Sequence, residues 1–142
     1  MLKGIPNIIS PNLMKILMEM GHGDEIVIAD GNFPAESLGK RVIRYDGHGG
    51  VEILKVILKI FPLDEYVNSP VVLMDPKDKD LKIPIWDDYK SVINNYSENK
   101  INIKQISRNE FYKRSEKAYV IIASSELQLY ANIILKKGVI DN

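Results

Sequence analysis

Apolar residues recur along the chain in two rhythms. Leu13, Ile16, Leu17 and Met20 follow Ser10-Pro11 at helical spacing. Ser10 suits an N-cap, Pro11 the first helical position, and Gly21 a left-handed C-terminal cap. Val51, Leu54, Ile57, Leu58 and Phe61 predict a second amphipathic helix. Trp86, Tyr89, Ile93 and Tyr96 behind Pro84 predict a third, whose aromatic stripe reads as core or subunit contact. Ser107 followed three residues later by Glu110 is a capping box, opening a fourth helix through Lys117.

Between these lie short apolar runs. Ile26 to Ala29, Val71 to Met74, Tyr119 to Ala123 and Tyr130 to Leu135 read as buried strands. Arg41 to Tyr45 is a shorter candidate, and Ile101, Ile103 and Ile106 alternate with polar residues as on a strand near a sheet edge. Residues 30–39 and 77–82 are loops by their turn-forming and charged composition, and 126–129 a turn or short helix. Strands near 26, 42, 71, 102, 120 and 133 alternate mostly with helices. That order predicts one α/β domain over residues 1–142, its mainly parallel sheet covered on both faces. Asp30 and Asp75 would then lie along one edge, at the C-terminal ends of their strands.

Composition narrows the partners. Lys plus Arg and Asp plus Glu number 19 each, so no net field draws the chain to nucleic acid or a membrane. With no cysteine there is no disulfide, thiolate nucleophile or cysteine-ligated metal. The two histidines are far apart and in no metal-binding spacing, so no metal site is expected. The first residues lack a secretory apolar core and no run reaches membrane-spanning length, which makes cytoplasmic the default location.

The chemistry concentrates in Gly21-His22-Gly23-Asp24, the apolar run behind it, and Asp30 at the end of that run. An imidazole and a carboxylate bracketing one buried strand form a candidate site, provided that loop folding brings them together. The other histidine lies in Asp46-Gly47-His48-Gly49-Gly50, ahead of a helix where free N–H groups could receive a phosphate. The match to G-x-G-x-x-G fails and no P-loop Lys-Ser/Thr follows, so a nucleotide-binding module is not supported. His48 reads as an exposed loop residue. Arg108, in the first turn of its helix, opposes the macrodipole, which hints at another task for the guanidinium.

Several of these stretches occur together in a recognisable register. Ile9-Ser10-Pro11, Met20-Gly21-His22-Gly23-Asp24, Asp30-x-x-x-Pro34, Arg44-x-Asp46-Gly47, Arg108-x-x-Phe111-Tyr112 and Tyr130-x-Asn132-Ile133-Ile134-Leu135-x-x-Gly138-Val139 resemble the ribose pyranase and L-fucose mutarotase family. The likeness covers nearly the whole chain and is closer to the L-fucose mutarotase branch. It implies a Rossmann-like three-layer subunit, a ring-shaped homo-oligomer (often a decamer) and cofactor-free isomerase chemistry on a free monosaccharide. It also implies His22 as proton donor, and Asp30, Arg108, Tyr130 and Asn132 as sugar contacts. Tyr119 falls where the fucose branch has Phe or Tyr, so it is an auxiliary candidate. The ribose branch has a histidine in the region of Arg108, which weakens a furanose–pyranose reading. His48 matches no family site residue.

The residue types suit such chemistry. Mutarotation opens a hemiacetal: the anomeric hydroxyl loses a proton, the ring oxygen gains one, and the free aldehyde rotates and recloses. An imidazole titrating near ~6.5 can carry those protons. A neutral polyol is oriented by carboxylate, amide, phenol and guanidinium groups. The sequence therefore favours α/β anomer interconversion, with L-fucose the expected substrate. Ribose pyranase-like ring conversion and a non-catalytic sugar-binding accessory protein are the alternatives. In a ring, His22 of one subunit is expected to meet Tyr130 and Asn132 of the next.

Overall fold

A computed structural model describes residues 1–141. In chain order the elements are α1 (Pro11–Glu19), β1 (Glu25–Ala29), α2 (Ala35–Leu38), β2 (Val42–Tyr45), α3 (Gly50–Leu58), β3 (Val71–Met74), α4 (Pro84–Tyr96), β4 (Ile103–Ile106), α5 (Arg108–Lys117), β5 (Val120–Ser124) and β6 (Ile133–Lys136). The strands form one sheet in the order β2-β5-β1-β6-β3-β4. All neighbours are parallel except β6, which runs antiparallel to both β1 and β3.

The period-two alternation of the strands sorts their side chains into two cores. Ile26, Ile28, Leu73, Ile122 and Ile133 pack with Leu13 and Leu17 of α1, Ile53 and Ile57 of α3 and Tyr89 of α4. On the other face Val27, Val72, Ile121 and Ile134 pack with Ala35 of α2 and Phe111 of α5. Register makes the second core a row: Ile134 pairs with Val27 on one side and Val72 on the other, and Val27 pairs with Ile121. A buried Ile truncated to Ala in such a row costs about 2–5 kcal/mol.

The two predicted serine N-caps are present. Ser10 Oγ accepts the Leu13 N–H at 3.1 Å and Ser107 Oγ that of Glu110 at 3.2 Å. Two local expectations change. α1 ends on an extended Met20, and Gly23 rather than Gly21 takes a positive φ of 84°. The loop over 30–39 also contains the one-turn α2. Among the described residues no helix is long and apolar enough to cross a membrane.

Candidate functional site

The reversal of β6 decides what meets at the sheet edge. β1 and β3 end there, as the positions of Asp30 and Asp75 require, and β6 begins between them. Asn132 therefore enters beside Asp30, 102 residues away in sequence. The two form a reciprocal pair. Asn132 Oδ1 accepts the Asp30 N–H at 2.8 Å, and Asn132 Nδ2 donates to Asp30 Oδ2 at 2.9 Å. The Asn32 N–H donates to Asp30 Oδ1 at 3.0 Å. Both side chains are buried. Burial pushes the Asp30 carboxyl up from its ordinary 3.8, while the bonds from Asn32 and Asn132 act against it.

Asn132 keeps one further N–H, so the pair is rigid but not exhausted. It opens on a cavity of about 210 Å³ lined also by Arg108, Tyr130, Met74 and the aromatic rings of Phe33 and Tyr112. Arg108, exposed at the start of α5, donates from Nε to the Tyr112 hydroxyl at 3.2 Å and lies over that ring. Tyr130 is the only non-glycine at positive φ among the described residues, at 57°, and its hydroxyl accepts the Lys77 N–H at 3.2 Å. Four predicted sugar contacts thus surround one cavity. Asp75 does not line it; its N–H is bound to the Ile106 carbonyl.

His22 is not among them. It precedes β1, whose length puts about 17 Å between Glu25 and Asp30 at ~3.3 Å per residue. Loop folding cannot bring it back, because the turn is stitched to the far end of β6: Gly23 N–H donates to the Lys137 carbonyl and Lys137 N–H to the Asp24 carbonyl, both at 2.8 Å. At that opposite edge His22 Nε2 lies 3.2 Å from Oδ1 of the buried Asp64, which also accepts the Tyr66 N–H at 3.0 Å. With a carboxylate as acceptor, Nε2 carries the proton and Nδ1 is left as a base. The imidazole is 46 % exposed, with Tyr66 edge-on at 5.6 Å.

Asp64 is held by the same strand. Its N–H donates to the Lys136 carbonyl, Gly138 N–H donates to the Pro62 carbonyl, and a Cβ at Gly138 would lie 2.5 Å from the Leu63 carbonyl oxygen. Neither Asp64 nor Tyr66 carries a signal in the sequence, since each lies in an irregular stretch more than 40 residues from His22. Tyr119, just before β5, is also on this edge. Its hydroxyl donates to Glu19 at 3.3 Å and its ring lies under the Arg41 guanidinium. His48 is bound to Glu52 at 2.9 Å. The glycine-rich turn offers no free cradle, because Glu126 Oε2 accepts the Gly50 N–H at 3.0 Å.

A six-stranded α/β domain with a polar, aromatic-lined cavity where an antiparallel strand enters the sheet defines a class. The chain belongs to the RbsD / FucU transport protein family, which matches residues 3–140. Within it, the similarity to individual proteins extends over almost the full chain. Fucose mutarotase of Danio rerio is 47% identical over 145 residues, covering 98% of this chain and 94% of that protein. L-fucose mutarotase of Actinobacillus pleuropneumoniae serotype 5b is 41% identical over 140 residues, covering 98% and 97%. The crystal structure of the fucose mutarotase in complex with L-fucose from Streptococcus pneumoniae superposes with a TM-score of 0.94 at 48% identity, covering 99% of this chain and 100% of that one.

Proposed function

We propose that this chain is an L-fucose mutarotase, an isomerase that interconverts the α and β anomers of the free sugar. Its near-full-length similarity to enzymes of that name supports the reaction and the substrate. The observation that carries the reading onto this chain's own residues is the locked Asp30–Asn132 pair facing a cavity with Arg108 and Tyr130. Those groups present a carboxylate, an amide N–H, a phenol and a guanidinium to a neutral polyol.

The proton steps fall to His22. Its free Nδ1 takes the proton of the anomeric hydroxyl, and the resulting imidazolium delivers that proton to the ring oxygen as the C1–ring oxygen bond breaks. The open aldehyde turns about C1–C2, and the reverse transfers close the ring on its other face. Nothing is oxidised. A positioned acid–base group supplies on the order of 10²–10⁴-fold. Asp64 fixes which nitrogen is available and how the ring is aimed.

Because His22 and the cavity occupy opposite edges of one sheet, a complete site needs two subunits. Apolar side chains stand exposed beside each half: Tyr66, Val139 and Ile140 near His22, Leu127 and Leu129 near Tyr130. Joining the two edges repeatedly is a heterologous contact, which gives a ring when the rotation between neighbours closes. Native mass spectrometry reads the subunit number, expected to be ten.

Exchange NMR of the L-fucose anomeric protons tests both parts. His22→Gln should abolish most exchange while the oligomer persists; full exchange by the folded variant overturns the proton assignment. Co-assembly of His22→Gln with Tyr130→Phe, each nearly inactive alone, should restore intact pairs at about a quarter of random interfaces. No recovery in verified mixed oligomers would put the whole site within one chain.

A further inference from the structure

The turn that carries Tyr130 into the cavity is held from outside the cavity. Going back from β6, Tyr89 Oη donates to the Ala131 carbonyl at 2.8 Å and Trp86 Nε1 donates to the Tyr130 carbonyl at 2.9 Å. Gln128 Oε1 accepts the Ile85 N–H at 3.2 Å, and Glu126 Oε2 accepts that of Gly50. Segment 126–131 therefore rests on the N-terminal turns of α3 and α4. A left-handed tyrosine is strained, and such a conformation persists only where the surroundings over-determine it. Rotating Tyr130 about its N–Cα bond to a negative φ would release the strain. It would also take the Tyr130 carbonyl away from the Trp86 indole.

We infer that Trp86 is a positioning residue for the sugar site: its indole N–H, by holding the Tyr130 carbonyl, fixes the backbone from which Tyr130 and Asn132 reach the sugar. This rests on the reading that Tyr130 touches the sugar. Trp86 is buried and lies on α4, so it makes its contribution without lining the cavity. The other end of Tyr130 is fixed by the same connection between β3 and α4, where the Lys77 N–H donates to the phenol oxygen. Having accepted that bond, the hydroxyl directs its own proton elsewhere, as a donor to a sugar oxygen. Tyr89 braces the next carbonyl. Burial holds its phenol far above its ordinary range, so it remains a donor. Gly50 leaves the space that the Tyr89 hydroxyl occupies.

Trp86 is the sole tryptophan, so its indole N–H gives a single assigned NMR resonance. In the wild-type oligomer, L-fucose should shift that resonance with the same concentration dependence as anomeric exchange. Trp86→Phe removes the N–H and keeps an aromatic ring. It should raise the half-saturating L-fucose concentration about tenfold, the size of one hydrogen bond's loss, and change the maximal exchange rate by less. A merely structural role would lower thermal stability without that split. A folded Trp86→Phe variant with wild-type half-saturation overturns the inference. If that variant does not fold, the wild-type resonance decides: movement at saturation supports the inference and stillness overturns it. Tyr130→Phe separates the two levels, because unchanged L-fucose binding and exchange in that variant refutes the site reading itself, whatever Trp86 does.

Discussion

Replacing Asn132 by Asp changes one atom of the buried pair and reverses its chemistry. Oδ1 of the new carboxylate can still accept the Asp30 N–H, but its other oxygen takes the place of an N–H that lies 2.9 Å from Asp30 Oδ2. Two ionised carboxylates at that distance repel by about 6 kcal/mol at an effective dielectric constant near 20. The folded pair therefore keeps one proton and shares it as an O–H···O bond, whereas the unfolded chain releases both near ~4. While the folded state holds that extra proton, stability falls as pH rises, by about 1.4 kcal/mol per unit. Wild type carries a slope of the same sign, since burial raises the Asp30 carboxyl above 3.8, but it levels off once Asp30 ionises. The two proteins should be nearly equal in stability near pH ~4 and diverge steadily above the wild-type ionisation. Urea unfolding at fixed protein concentration, followed by Trp86 fluorescence from pH 4 to 8, reads the divergence. Parallel curves over that range would refute the buried reciprocal pair.

Arg108→Ala removes an exposed guanidinium from the cavity rim and should raise the L-fucose concentration for half-maximal exchange by on the order of tenfold, with little change in melting temperature; an unchanged concentration dependence in anomeric exchange NMR would remove Arg108 from the site. Asp64→Ala should slow maximal exchange while half-saturation stays close to wild type, because it releases the His22 ring without touching the cavity; a wild-type rate would show that the pair is dispensable. Gly138→Ala forces a Cβ against the Leu63 carbonyl and the Asp64 backbone, so it should cost about 1–3 kcal/mol in denaturant unfolding and slow exchange in parallel; wild-type values of both would contradict the close approach.

What the chain declares about itself depends on distance along it. The starts of α1 and α5 are legible because Ser10 and Ser107 reach N–H groups only three residues on. β1, β3, β5 and β6 are legible as apolar runs, since a strand buried on both faces leaves few polar positions to mask it, although the run read from Tyr130 becomes strand only at Ile133. Direction is less visible. Nothing in Ile133-Ile134-Leu135 says that β6 runs against its neighbours, and that reversal is what seats Asn132 beside Asp30. The single turn of α2 is hidden because Pro34 provides no side-chain cap and four residues give no period. His22 and Asp30 stand out for flanking the same strand, which is the reason they are apart: a strand carries its two ends to opposite edges. Asp64 and Trp86 act through partners about 40 residues away, beyond any local pattern.

β6 serves both edges at once. Its start presents Asn132 to the cavity, and its end and the residues just after it hold the turn of His22 and the backbone of Asp64. Strand Ile133–Lys136 is consequently a spacer of fixed length, about 13 Å, joining two half-sites that serve different neighbours in the proposed ring. One inserted residue would lengthen it by ~3.3 Å and turn every following side chain to the opposite face. Insertions between Lys77 and Lys82, by contrast, would fall in an exposed loop. Evolutionary drift in length is thus open to the periphery of this fold and closed to its central antiparallel strand, where a single codon gained or lost would put two neighbouring sites of the proposed ring out of alignment together.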